Sequence, residues 1–244
     1  MNLSGFILAA GFGTRMGEYT LNLPKPLLPI MGVPLIYYSL YNFYRWKIEK
    51  VYINVHYLGD MIIDRLKDYP HAELIFSKEA NILGTAGGVR TAAGSEINQN
   101  IVILNPDTVL VPDLKDFPEI NSLSEEDFPV DYSLLYIAEK NKDSNETGFD
   151  LIPGEKRDIL SFSRTGKYFY IGYSVINTHI LKDLRPLQKY ELGDVWRKGN
   201  FPLYGRVFRG KYFDCGNAAS YELLKDKEIH SDSSWKEFLE KCRI

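Results

Sequence analysis

Leu8-Ala9-Ala10-Gly11-Phe12-Gly13-Thr14-Arg15-Met16 closes a short apolar run, Gly5 to Ala10, with two glycines and a basic residue. A run of that length feeding a Gly-rich loop, Gly11 to Gly17, reads as a buried parallel strand that delivers the loop to one edge of a sheet. Small residues let the backbone approach a ligand closely and turn its N–H groups toward phosphate oxygens. Arg15 adds a bidentate phosphate donor beside them. Taken alone the loop is a weak signal, because a turn followed by a surface arginine has the same composition. It lacks both the GxGxxG spacing of a dinucleotide site and the lysine of a P-loop, and no acidic ribose reader stands at the expected distance.

Downstream, Leu23-Pro24-Lys25-Pro26-Leu27-Leu28-Pro29 holds one lysine between prolines. The prolines from Pro24 to Pro34 predict an extended segment with no helix in it. Helical spacing follows over Leu35 to Trp46, then a strand over Lys50 to Val55, a helix over Gly59 to Leu66, a strand over Glu73 to Phe76 and a helix over Thr85 to Ala93. Strand and helix alternate as in βαβ units, which makes the fold α/β. Ile101 to Leu104 is a further apolar strand, and Asn105-Pro106-Asp107 follows it, so Asp107 stands at a carboxyl strand end, where open parallel sheets collect ligands. Beyond residue 113 a polar stretch, Glu119 to Asp127, gives way to mixed or antiparallel strands with turn signals at Pro153-Gly154, Arg164-Thr165-Gly166 and Arg209-Gly210. Asn217 to Lys227 reads as the last clear helix.

A chain of 244 residues, 45% of them hydrophobic, has enough apolar material for the core of one large domain. A net charge of -3 argues against a nucleic-acid partner, which calls for a basic excess, while small anions need only a few placed cations. Cys215 and Cys242 have no metal-ligand spacing and are too few for a disulfide framework, as expected in a reducing compartment. The N-terminal apolar run is too short for a membrane span and has no basic segment before it, so the expectation is a cytoplasmic protein with no membrane partner.

The paired segments LAAGFGTRM and LPKPLLPIMGVPLI closely resemble the start of the nucleoside-diphosphate-sugar pyrophosphorylases, the sugar 1-phosphate nucleotidylyltransferases. The resemblance continues through INVHYLGDMI (Ile53 to Ile62), KEANILGTAGGVRTA (Lys78 to Ala92), ILNPDTVL (Ile103 to Leu110), YIGYSVI (Tyr170 to Ile176) and YFDCGNAASY (Tyr212 to Tyr221). Matching is weak between about 113 and 165. It implies a single domain over 1–244, with a Rossmann-like, mixed but mainly parallel sheet flanked by helices. Residues 1–113 would form a nucleotide-binding half and 114–244 a sugar-phosphate-binding half. Because the given sequence continues only a short way past the last motif, the expectation is that the β-helix or acyltransferase domain of longer relatives is not part of it. It is similar to the short members acting on muramic acid, mannose or heptose 1-phosphates, some in cell-envelope synthesis. The implied substrates are an NTP and a sugar 1-phosphate, and the implied cofactor is Mg2+.

Site residues follow from the same matches and from the chemistry. Attack at phosphorus needs positioned cations more than an acid–base pair. Arg15 is expected at the β and γ phosphates, with Leu8, Ala9, Ala10, Gly11, Gly13 and Thr14 lining the nucleotide, and Lys25 at the α or sugar phosphate. Asp107 and Asp214 match the positions of two metal-binding aspartates, and magnesium takes one or two carboxylates plus substrate phosphates. An aspartate after a strand also serves as an ordinary turn former. Proline in Asn105-Pro106-Asp107 replaces the usual glycine and fixes φ, which puts the geometry of that loop in question. Glu79 stands near a base-reading position, with Gly84, Thr85, Ala86, Gly87 and Gly88 as a small-residue loop against the base; the competing reading is a solvated glutamate. For the sugar, Asn54 and Asn105 are polar contacts, and Gly148 and Gly172 are points of close backbone approach. Many relatives carry Glu-Lys-Pro where this chain has Phe162-Ser163-Arg164-Thr165, so Arg164 faces either an anionic substituent or solvent.

Two alternatives stay open at this stage. One is a cytidylyltransferase for a non-sugar phosphate. The other is a regulatory protein that binds a nucleotide sugar without turnover.

Overall fold

Ile101, Val102, Ile103 and Leu104 are all at most 1% exposed, since their strand is covered on both faces. Burying each such side chain stabilises the fold by roughly 1.5–3 kcal/mol. The computed structural model describes residues 3–94, 98–113, 129–140 and 148–244. The polar stretch Glu119 to Asp127 lies outside the described residues.

In chain order the elements are β1 (Leu3–Leu8), β2 (Pro29–Ile30), β3 (Val33–Pro34), α1 (Leu35–Arg45), β4 (Lys50–Val55), α2 (Gly59–Leu66), β5 (Glu73–Lys78), α3 (Gly84–Ala92), β6 (Asn100–Leu104) and β7 (Thr108–Pro112). They continue with β8 (Ser133–Glu139), β9 (Gly148–Ile152), β10 (Ile159–Ser163), β11 (Tyr168–Asn177), α4 (Leu192–Lys198), β12 (Leu203–Val207), β13 (Gly210–Asp214), α5 (Ala218–Glu222) and α6 (Ser233–Cys242). One nine-stranded sheet has the order β5-β4-β1-β6-β11-β8-β12-β10-β9. It is parallel from β5 to β6 and turns antiparallel at β11, so it is a mixed Rossmann-like sheet. β7 and β13 form a separate antiparallel ribbon.

Side chains alternate across the sheet. Ile7, Val102, Leu104 and Val175 enter a core with α1 and α6, while Phe6, Ile101, Ile103 and Ile176 enter a second core with α3 and α4. From β1 the chain crosses to β4 on one side and later returns to β6 on the other. This reversal of strand order opens a crevice at the carboxyl ends of β1 and β6.

Two sequence expectations need correction. Lys25–Leu27 is one turn of 3-10 helix rather than extended chain. Pro26 fits there because the first residues of a helical turn have no use for their N–H groups. Asn217 does cap a helix, accepting a bond from Ser220 N–H at 3.0 Å, but that helix ends at Glu222. The last helix is α6, capped by Asp232, whose carboxylate accepts from Trp235 N–H at 3.1 Å. No described helix is long and apolar enough to cross a membrane.

Candidate active site

The carboxyl ends of β1, β4, β5 and β6 surround a cavity of about 340 Å³. After β1 the chain takes a left-handed turn at Gly13, with φ +68, where an added Cβ would stand 3.0 Å from Thr20 and 3.2 Å from Lys25. Thr20 Oγ1 donates to Gly13 O at 3.1 Å and holds the turn closed. Phe12 leans outward, edge-on to His56 at 5.3 Å, so the loop is pinned to the corner after β4. Arg15 is exposed at the cavity wall.

Lys25 reaches in from its 3-10 turn and is 8% exposed. Its Nζ donates to Asp107 Oδ2 at 2.6 Å and to Gly216 O at 3.1 Å. Asp107 occupies the third position of a tight turn in which Thr108 N–H donates to Asn105 O at 3.2 Å. Pro106 is the second residue of that turn, the place where a fixed φ near −65° is favoured. The proline in place of glycine is therefore accommodated by the turn itself. Cys215 N–H donates to Asp107 O at 2.7 Å, and Asp214 pairs with Thr108 across the β7–β13 ribbon. Asp214 thus stands beside Asp107, exposed, with Oδ1 accepting from Gly216 N–H at 2.7 Å. Between them Cys215 is fully buried; burial first, then the Asp107 and Asp214 charges, push its thiol up to about 12, so it remains protonated. Among the described residues no cluster of three or more His, Cys, Asp or Glu side chains exists that would cage a metal by itself.

The opposite wall is a buried relay. Ala9 N–H donates to Asn54 Oδ1 at 2.8 Å, Asn54 Nδ2 donates to Glu79 Oε1 at 2.7 Å, and Leu83 N–H donates to Glu79 Oε2 at 2.8 Å. Glu79 is 5% exposed, which removes the solvated reading, and both of its oxygens already serve the protein. The small residues of α3 also face inward. An added Cβ on Gly88 would stand 2.8 Å from Asn54, and one on Gly87 would stand 2.2 Å from Gln188 O. Their smallness serves packing against neighbouring chain, and only Gly84 and Thr85 of that group line the cavity.

The cavity gathers Leu8, Ala9, Ala10, Gly11, Gly13, Thr14, Arg15, Lys25, Asn54, Glu79, Gly84, Thr85, Asn105 and Asp107. Asp214, Gly148, Gly172 and Arg164 do not line it. Asp214 is exposed and bonds to Gly216, which does line the cavity. Gly148 packs against Ser163 O and Gly166 O, and Gly172 packs against Asn105. Arg164 is exposed in the turn after β10 and is absent from the cavity wall. Glu191 is the main addition, for its Oε2 accepts from Thr85 N–H at 3.1 Å and Thr85 Oγ1 at 3.0 Å. Nothing local in the sequence announces this contact, which joins residues 106 positions apart.

The nucleotidyl transferase family model matches residues 4–227. A bifunctional protein GlmU from Methanococcus maripaludis is 30% identical over 222 residues, covering 88% of this chain and 52% of that protein. A D-glycero-alpha-D-manno-heptose 1-phosphate guanylyltransferase from Aneurinibacillus thermoaerophilus is 31% identical over 114 residues, covering 46% of this chain and 50% of that one. The chain spans about half the length of these curated relatives. Among solved structures, HddC from Yersinia pseudotuberculosis complexed with GMP-PN superposes with a TM-score of 0.72 at 24% identity, over 92% of this chain and 98% of that one. A UDP-glucose pyrophosphorylase complexed with UDP-glucose gives 0.74 at 18%, over 92% and 97%.

Proposed function

The chain belongs to the nucleotidyl transferase family, and from that premise we propose that it transfers a nucleoside monophosphate from an NTP to a sugar 1-phosphate, forming an NDP-sugar and pyrophosphate. The observation that carries this reading is the placement of Lys25 against Asp107 at the carboxyl strand edge, beneath a Gly-rich loop that bears Arg15. In the proposed reaction a phosphate oxygen of the sugar 1-phosphate attacks the α-phosphorus. The bond to the bridging oxygen of the β-phosphate breaks, and pyrophosphate leaves with the electron pair. No proton transfer is required. The protein's work is to align the two substrates and to offset charge on the transferring and departing oxygens.

In this reading Lys25, buried and anchored on two oxygens, would face the transferring phosphate, and the exposed Arg15 the departing β and γ phosphates. Asp107 and Asp214 are an all-oxygen donor pair on adjoining chain segments. Such a pair suits Mg2+, which binds through one or two carboxylates and completes its shell with phosphate oxygens and water. Held there, such an ion would supply charge neutralisation on the phosphates. Asn54 and Glu79, each engaged in internal bonds, support the loop and the start of α3, and Gly84 and Thr85 offer further surface to the base and sugar ring. An NTP donor fits the cytoplasm.

The test is pyrophosphate release under Mg2+ with the four NTPs and a panel of phosphate acceptors. Because heptose and mannose 1-phosphate guanylyltransferases are among the relatives, GTP with those sugars is the first pair to try. Release with sugar 1-phosphates is the expected result. Release only with alcohol phosphates, or nucleotide-sugar binding with no release at all, would overturn the reading.

A further inference from the structure

Glu191 lines the active-site cavity from a position fixed by two helices. Its carbonyl accepts from Asp194 N–H at 3.1 Å and from Val195 N–H at 3.2 Å, so its backbone opens α4. The side chain does not cap that helix and crosses to the start of α3 instead. There Oε2 accepts from Thr85 N–H at 3.1 Å and from Thr85 Oγ1 at 3.0 Å. Thr85 Oγ1 itself accepts from Leu192 N–H at 2.7 Å, which leaves its proton for the carboxylate. The carboxylate is thus oriented before any ligand binds.

Among the described residues every bond to this side chain goes to Oε2, and no cation pairs with it. Oε1 lies against Gly84, which also lines the cavity: a Cβ at Gly84, where φ is +69, would stand 2.6 Å from it. Glycine at this position leaves the carboxylate its place in the wall. The other two carboxylates of the lining are committed, Glu79 to Asn54 and Leu83 and Asp107 to Lys25. Arg15 and Lys25 are the only cations among the described lining residues, and the proposed reaction uses both on phosphates. The wall therefore offers one oriented acceptor without a donor, and no cation for a further negative charge. A carboxylate only accepts, so the group that meets it must carry a proton.

We propose that Glu191 is a specificity-determining residue whose Oε1 accepts from a hydroxyl of a neutral sugar ring, that of the sugar 1-phosphate or the ribose of the NTP, and that the cavity rejects sugar 1-phosphates bearing a carboxylate. The inference deepens the proposed function and rests on it. A site built to bond a hydroxyl discriminates strongly against the analogue that lacks it, because the buried partner is left unpaired. Rejection of the anionic analogue follows from like charge at the same place.

The test is pyrophosphate release by the whole chain and by its Glu191→Gln variant, whose amide keeps an oxygen for Thr85 and offers the cavity a donor in place of an acceptor. One arm compares a neutral sugar 1-phosphate with its monodeoxyfluoro analogues, since fluorine donates no proton. The other compares the NTP with its 2′-deoxy and 3′-deoxy forms. In the wild type one analogue should lose kcat/KM by about tenfold or more. In Glu191→Gln that analogue should equal its parent, and the arm in which this happens identifies the ring. Equal losses in the variant for parents and all analogues would reduce Glu191 to a support of Thr85 and overturn the contact. A changed ranking of the four NTPs would move the contact to the base and overturn it as well. A wild type that uses a uronic acid 1-phosphate as readily as the neutral sugar would overturn the rejection of anions. If no acceptor supports release, the proposed function fails, and calorimetric titration decides the inference by itself. GDP-mannose should then bind the wild type about tenfold more tightly than GDP-mannuronic acid, with the difference lost in Glu191→Gln. Equal binding of the two, or binding of neither, would overturn it.

Discussion

Lys25 Nζ lies 2.6 Å from Asp107 Oδ2, so the cation assigned to the transferring phosphate and a carboxylate assigned to the metal are partners before any substrate arrives. Their side chains are 10% and 21% exposed, a setting where an unpaired charge is costly. Each holds the other in a defined position, and in the proposed reaction phosphate and metal would take over as partners.

Lys25→Ala should consequently separate metal binding from turnover. Loss of a preorganised donor at the transferring group lowers kcat by about 10²–10³-fold, while Asp107, relieved of its lysine, should bind Mn2+ or Mg2+ more tightly in the nucleotide-free chain. Lys25→Arg should not restore activity, because a planar fork does not fit a point-charge position. Calorimetric metal titration and pyrophosphate release read the two effects. Metal affinity unchanged in Lys25→Ala would mean that the pair does not restrain Asp107.

Glu79→Ala should act on stability before it acts on base choice. The substitution strips the acceptor from two buried donors, Asn54 Nδ2 and Leu83 N–H, and each buried group left unsatisfied costs about 1–3 kcal/mol. A lower unfolding midpoint in urea, with the ranking of NTPs unchanged, is the expected pattern. A changed ranking at unchanged stability would return Glu79 to direct contact with the base.

This distinction between support and contact marks the limit of what the sequence reveals. Apolar runs identify parallel strands, and strand ends identify the crevice, so Arg15, Lys25, Asp107 and the Gly-rich loop could be placed together from sequence. Whether a glycine faces a ligand or a neighbouring chain is a tertiary matter, and Gly148 and Gly172 proved to face neighbouring chain. Glu191 was illegible because its partner is Thr85, on a helix in the other half of the chain. The last helix was legible and was missed in favour of Asn217 to Lys227, although Asp232 caps it and Trp235, Phe238, Leu239 and Cys242 stand at helical spacing.

Acid should loosen α6 through His230. Burial among Tyr38, Tyr41 and Trp235 lowers its pKa to about 4, with the Asp232 charge opposing that and Arg45 adding to it. The fold thus favours neutral imidazole. The contribution is fully present above the ordinary value of 6.5 and is lost as the pH falls from there through about 4. A shift of that size corresponds to about 3 kcal/mol. His230→Phe retains the ring packing and removes the titration, so the difference in stability between variant and wild type should widen below pH 6.5 in favour of phenylalanine. A constant difference across that window would exclude His230 as the acid-sensitive group.

Gly172→Ala should damage the proposed metal site through its support. Gly172 has φ +79 and sits where the β11–β8 register slips between Tyr170 and Ser174, a bulge that needs left-handed backbone. Its carbonyl accepts from Asn105 N–H at 2.9 Å, and an added Cβ would press on Asn105 at 2.9–3.0 Å. Asn105 opens the turn that carries Asp107, so the strain falls on the carboxylate's support. The backbone penalty alone is about 1–2 kcal/mol, a fall of roughly 2–8 °C in Tm for a chain of this size. Beyond that loss, the Mg2+ concentration for half-maximal turnover should rise. Gly148→Ala is the control, since its Cβ would meet Ser163 O at 2.6 Å and Gly166 O at 2.8 Å, in the β9–β10 region and outside the cavity wall. It should lower Tm with the Mg2+ requirement unchanged. If both variants shift the Mg2+ requirement equally, the effect is general loosening of the sheet, and the link from Gly172 through Asn105 to Asp107 is wrong.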